Sequence, residues 1–182
     1  MLYTCKPFSI EKELGKVYNA HCAMVPNEDD WILIMDTDTM LIEPSVTYPV
    51  IFKAIEAHPD TTIFGAMTNR VGIPSQRVFA DQDPNPDIID HYKMTLALAE
   101  RYRNGECKQV RFVGGFFLLF RKRYWMRHKF QAEIRTDKKR LFDYAFCEPA
   151  MRSAAKIRVI LGAYVFHYYR MHKDYRDKSH LL

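Results

Sequence analysis

Apolar and polar positions fall into short blocks whose period changes along the chain. Residues 2–5 form a short apolar-bearing block that reads as a strand. Residues 10–25 carry Leu14, Val17, Tyr18 and Cys22 at helical spacing, with Ser9 placed to cap the helix. Residues 26–30, Pro-Asn-Glu-Asp-Asp, form a turn cluster. Trp31 to Met35 is apolar without alternation, the pattern of a strand buried on both faces. A second helix opens at Pro44 or Ser45 and runs to about Ala57, followed by a strand over 62–67. Residues 69–86 are rich in Gly, Pro, Asn, Gln and Asp and read as a long irregular loop, of the kind that is usually functional or mobile. A helix over 88–102 follows, then a strand over 110–120 broken at Gly114 and Gly115. Beyond it come a basic helical turn at 121–128 and a helix over 142–156, which Pro149 should kink or split. Strands at 157–160 and 164–169 flank a turn at Gly162, and the tail from Met171 is polar.

Strands alternating with helices predict an α/β fold, with a mostly parallel sheet and helices on both faces. The 182 residues suit one domain, over 1–170, with a polar tail at 171–182.

Asp36 and Asp38 stand at the end of the buried strand. In an extended segment, residues two apart share a side. The carboxylates are therefore expected to project together from the strand's C-terminal end, where open α/β sheets bind ligands. Two such groups repel unless a cation is near, and hard cations such as Mg²⁺ or Mn²⁺ take oxygen ligands of this kind.

Charge changes the picture in one region. Between Arg101 and Arg140, thirteen Lys and Arg residues face only Glu106, Glu133 and Asp137. Such a run is either a solvated face or a surface for phosphates, nucleic acid or anionic lipid. The four cysteines are isolated, with no Cys-x-x-Cys, so free thiols in a reducing compartment are expected. The first residues lack an apolar core segment, so no signal peptide is expected. Both readings point to the cytoplasm, with peripheral contact at the inner face of an anionic membrane as an option for the basic segment.

Several stretches together resemble glycosyltransferase family 2, enzymes of the GT-A fold. They are residues 14–19 (Leu-Gly-Lys-Val-Tyr-Asn), Asp36-Thr-Asp38, residues 67–72 (Met-Thr-Asn-Arg-Val-Gly), residues 114–122 (Gly-Gly-Phe-Phe-Leu-Leu-Phe-Arg-Lys), Phe142-Asp143 and residues 165–170 (Val-Phe-His-Tyr-Tyr-Arg). Their order along the chain is the family's order. The resemblance implies a metal-dependent, inverting transfer of a hexose from a nucleotide-diphosphate sugar to an acceptor hydroxyl. Asp38, His167 and Asp36 would hold Mn²⁺ or Mg²⁺. Thr4, Pro7, Asn19, Asp36, Asn69, Arg70, Gly114 and Gly115 would line the nucleotide-sugar site. Asp143 would be the catalytic base. The donor would be a UDP-sugar first and a GDP-sugar second, the acceptor a saccharide or a lipid-linked sugar, and no nucleic acid is expected. The chain departs from the family at two places. Ala145 stands where a second acid is expected, and only one short strand precedes Trp31, which leaves base recognition to Thr4, Lys6, Pro7 and Phe8.

Two other readings stay open. Asp36-Thr-Asp38-Thr39 also matches the Asp-x-Asp-x-Thr pattern of haloacid dehalogenase-type phosphatases, although no paired acidic motif follows a later apolar strand. A non-catalytic basic domain with exposed aromatics would bind nucleic acid.

Overall fold

The computed structural model describes residues 1–9, 13–81, 83–131 and 142–168. The tail from 171, the tip of the basic run and the start of the first expected helix lie outside the described residues.

Among the described residues seven strands make one mixed, open sheet: β1 (Leu2–Cys5), β2 (Trp31–Met35), β3 (Thr39–Met40), β4 (Thr61–Thr68), β5 (Cys107–Val110), β6 (Phe117–Arg121) and β7 (Lys156–His167). The order is β1-β2-β6-β4-β7-β3, and β5 also pairs with β7. β1 is parallel to β2 and β4 is parallel to β7, while β6 lies antiparallel between β2 and β4. The four strands β1, β2, β4 and β7 thus point the same way, and β3, β5 and β6 run against them. The expectation of a mostly parallel sheet holds for these four strands, and the sheet as a whole is mixed. An apolar run such as Phe117–Phe120 states burial on both faces, not direction.

Helices cover both faces, as expected. α1 (Leu14–Met24), α4 (Lys122–Arg127) and α5 (Phe142–Arg152) pack with Ile32, Ile34, Leu118 and Phe120 on one face. α2 (Pro44–Ala57) and α3 (Ile88–Arg101) pack with Leu33, Met35, Phe64 and Leu119 on the other. Trp31 to Met35 alternates between these two cores, which explains five apolar residues in a row. α1 begins at Leu14, and Ser9 Oγ accepts from the backbone N–H of Glu13 (3.0 Å) rather than capping a helix that starts beside it. Pro149 lies inside α5 without ending it.

Two further differences have local causes. The single strand expected at 110–120 is two, β5 and β6, which run in the same direction with β7 and β4 between them. Residues 111–116 must therefore cross the sheet face. They pass over Gly65, where a Cβ would sit 2.7 Å from both Val113 Cγ1 and Gln76 Nε2. No turn forms at Gly162. β7 runs straight through it as a bulge, its register against β4 shifting between the pairs Ala66–Ile160 and Met67–Tyr164. A Cβ at Gly162 would lie 2.8 Å from Val50 Cγ1 and 3.0 Å from the Tyr102 carbonyl, so glycine serves close packing of α2 and the end of α3.

All four cysteines are free, and no helix among the described residues is long and apolar enough to cross a membrane.

Candidate functional site

The C-terminal ends of β1, β2, β4 and β7 share one rim of the sheet, and the expected site residues collect there. β2 ends at Met35, and Asp36 to Thr39 is a turn rather than a continued strand. The Thr39 N–H (3.2 Å) and hydroxyl (2.6 Å) both donate to the Asp36 carbonyl. The Asp36 N–H donates to the Phe116 carbonyl at 3.3 Å. The turn delivers the chain to β3, whose Thr39 pairs with His167 at the end of β7. The Tyr168 N–H then donates to the Asp38 carbonyl at 2.8 Å. The two carboxylates are thus brought together by a turn locked to β7, not by the strand pleat.

The result is a group of three. One ligand atom each from Asp36, Asp38 and His167 lies within 4.8 Å of the others, with His167 buried, Asp36 half-buried and Asp38 exposed. His167 Nε2 is 3.4 Å from Asp38 Oδ1. The imidazole is stacked on Phe116 (ring centroids 5.2 Å apart), and its backbone N–H donates to Asn69 Oδ1 at 2.8 Å. Donor atoms about 2.1 Å from one ion lie at most roughly 4.2 Å apart, so small side-chain shifts would let these three share a cation.

The charges differ between the two acids. Burial holds the Asp36 carboxyl above the usual carboxylate range; the Tyr18 hydroxyl, donating to Oδ1 at 2.9 Å, opposes this, and the Asp38 charge adds to it. The interaction with His167 holds Asp38 below the usual range against partial desolvation. Burial, then the Asp36 charge, raises the Tyr18 phenol.

Asp143 stands in the first turn of α5, close enough for its charge to act on Asp36 and Tyr18. Its Oδ2 accepts from the Gly115 N–H (2.9 Å) and its Oδ1 from the Tyr144 N–H (2.8 Å). Gly114 donates to Gln76 Oε1 at 2.7 Å, and Gln76 Nε2 donates to the Ala66 carbonyl at 3.1 Å. The glycine pair is thus a clamped crossing that presents one N–H to Asp143.

The other expected residues separate. Asn69 is buried at the end of β4, where its side chain also donates to the Asp83 carbonyl (3.3 Å), so it positions His167 and the following loop. Arg70 is buried next to it. Pro7 is buried just past β1, Phe8 is exposed, and Thr4 Oγ1 shares a hydrogen bond with the Tyr48 hydroxyl at 3.0 Å. Lys6 donates to the Thr39 carbonyl (2.5 Å), which puts its charge near Asp38. Asn19 does not face the acidic group. Its Oδ1 accepts from Trp125 Nε1 (2.8 Å) and the Phe130 N–H (3.0 Å), and its Nδ2 donates to the Phe130 carbonyl (2.8 Å). It ties α1 to α4 and to the segment that follows it.

Three residues of the site are not singled out by the sequence. Tyr18 counts as an ordinary apolar helix position, Gln76 as a loop residue and Phe116 as strand core. No protein-family model matches the chain, and no curated protein matches it.

Proposed function

We propose that the protein is a metal-dependent glycosyltransferase of GT-A type, which transfers a sugar from a nucleotide-diphosphate sugar to an acceptor hydroxyl with inversion. The observation that carries this reading is the convergence of Asp36, Asp38 and His167 within 4.8 Å, with the Asp143 charge acting on the same group. The donor set, two carboxylates and an imidazole, suits Mn²⁺ or Mg²⁺. An ion there would supply, as a Lewis acid, positive charge opposite the diphosphate that leaves.

The chain's own groups have separable tasks. Tyr18 orients Asp36, Asn69 holds the His167 backbone, and Phe116 stacks on the His167 ring. Gly115 and Tyr144 hold the Asp143 carboxylate through backbone N–H groups, one to each oxygen. Asp143 takes the proton of the acceptor hydroxyl as its oxygen attacks the anomeric carbon. The bond from that carbon to the diphosphate oxygen breaks, and its electron pair leaves with the nucleoside diphosphate. Ala145 offers no second carboxylate, so Asp143 acts alone. A UDP-sugar is the first choice of donor and a GDP-sugar the second, with a saccharide or lipid-linked acceptor.

A thermal-shift panel tests the reading: UDP, GDP, CDP and ADP, each with and without Mn²⁺ or Mg²⁺, on the wild type and on Asp38→Ala. A ligand that binds only the folded state raises its stability by mass action. The expected result is a metal-dependent shift with one nucleoside diphosphate that vanishes in the variant. No metal-dependent shift with any of the four overturns the proposal. Hydrolysis of phosphomonoesters in its place would point to the Asp-x-Asp-x-Thr phosphatases.

A further inference from the structure

At the opposite rim of the sheet lies a cavity of about 510 Å³, between the start of β4, the end of β6, α4 and the last turn of α5. β4 runs eight residues from Thr61, in the cavity wall, to Thr68 beside the acidic group. At about 3.3 Å per residue the two places are roughly 23 Å apart. A molecule held in one does not reach the other.

The wall is strongly cationic. Arg121, Arg123 and Arg127 all line it. Its carboxylate, Asp60, is already engaged by Lys156 Nζ (2.5 Å) and Arg158 (2.9 Å). Asp29 serves two of the arginines: its side chain pairs with Arg123 (3.0 Å) and its carbonyl accepts from Arg121 (2.6 Å). Among the described residues Arg127 has no carboxylate partner. Among the described residues five cations thus stand around two carboxylates. The remaining wall is mixed, with Pro59, Pro149 and Tyr124 beside the polar Thr62, His128 and Ser153. Burial, then the neighbouring Arg123 charge, disfavours the charged form of Arg121, so these two guanidinium groups repel. Fixed repulsion of this kind is relieved by an anion, and guanidinium groups match phosphate oxygens in geometry. The volume falls within the usual range for small-molecule sites.

We infer that this cavity is a binding site for a small phosphate-bearing molecule, with Arg123 and Arg127 on the phosphate oxygens and Tyr124 and Pro149 against the remainder. It stands independently of the glycosyltransferase reading.

Calorimetric titration of the whole chain in EDTA with sodium pyrophosphate and with phenyl phosphate tests the site. Saturable binding is expected, weakened about tenfold or more by Arg127→Gln and by Arg123→Gln, and unchanged by Asp38→Asn. Tighter pyrophosphate binding would identify inorganic polyphosphate as the source, and tighter phenyl phosphate binding an organic phosphomonoester. No binding at millimolar ligand, or equal binding in the arginine variants, overturns the inference. In a second measurement on the wild type, phenylglyoxal modification is mapped by mass spectrometry. Ligand should protect Arg121, Arg123 and Arg127 but not Arg103 or Arg152, which are exposed and paired with Glu100 and Glu148. Absent or uniform protection overturns it equally.

Discussion

At the scale of single residues, Asp36 is the most informative. Its carboxyl is raised by burial and by Asp38, so the ionised form is disfavoured in the folded state. The sign follows by linkage. The contribution of a group with a raised folded pKa is present below its unfolded pKa, about 3.9 for Asp, and is lost as pH rises through the folded value. In EDTA, Asp36→Asn should therefore have a higher melting temperature than wild type at pH 7, and the gap should close at pH 3. Millimolar Mn²⁺ should reverse the order at pH 7, because the wild type alone keeps the carboxylate. If the variant stays the more stable in Mn²⁺, Asp36 is not a ligand. Tyr18→Phe removes a hydroxyl that donates to this carboxylate and should cost about 1–3 kcal/mol in urea unfolding at pH 7. A double-mutant cycle with Asp36→Asn should return most of that as coupling. Nothing in the sequence separates Tyr18 from Leu14 or Val17. A hydrophobic period reports which side of a helix is buried, and it is blind to a hydroxyl at the tip of a buried ring.

At the scale of elements, the sequence is clearest where burial alone decides. The bounds of β2 and α2 match expectation because a both-sides-apolar run and a proline-opened helix each have a local cause. Reading fails where a distant neighbour decides. Gly114-Gly115 was legible as an interruption, but its meaning depends on Gln76, thirty-eight positions away. Gly162 looked like a turn and is a packing contact with α2. Two substitutions test the crossing. Gln76→Ala leaves the buried Gly114 N–H and the Ala66 carbonyl without their partner and should cost about 1–3 kcal/mol. It should also weaken any ligand binding that depends on Asp143, since Gly115 is the next residue. Gly65→Ala puts a methyl against Val113 and should cost about 1–3 kcal/mol by overpacking, measured by chemical denaturation. Asn19→Ala belongs with these. It removes three hydrogen bonds, one from α1 to Trp125 in α4 and two to Phe130 beyond it, so it should lower the melting temperature while leaving any metal-dependent nucleotide shift intact.

At the scale of the whole molecule, charge is sorted by rim. The carboxylates of the candidate site lie where the parallel strands end, and an arginine-rich cavity lies where β4 begins. The net charge of +5 hides this division, because a sum carries no position. The basic run at 101–140 was visible in the sequence, yet its part at 121–128 faces away from the acidic group. An acceptor bound there would be out of reach of Asp143. Phenyl phosphate, which binds divalent cations only weakly, and a metal-bound nucleoside diphosphate should raise the melting temperature independently, since sites this far apart and without shared partners add. A combined shift well below the sum would mean that the two ligands compete for one place.

β7 has a consequence for how the chain is made. It supplies His167, and it also holds β4 on one side and β3 and β5 on the other. β4 is synthesised some ninety residues before its partner, so during translation it waits with an open hydrogen-bonding edge. Until Lys156–His167 emerges, the nascent chain holds a hydrophobic half-sheet and no complete site. A stop codon after Ala155 should consequently yield aggregated material in the pellet of an expression lysate rather than a soluble, inactive fragment.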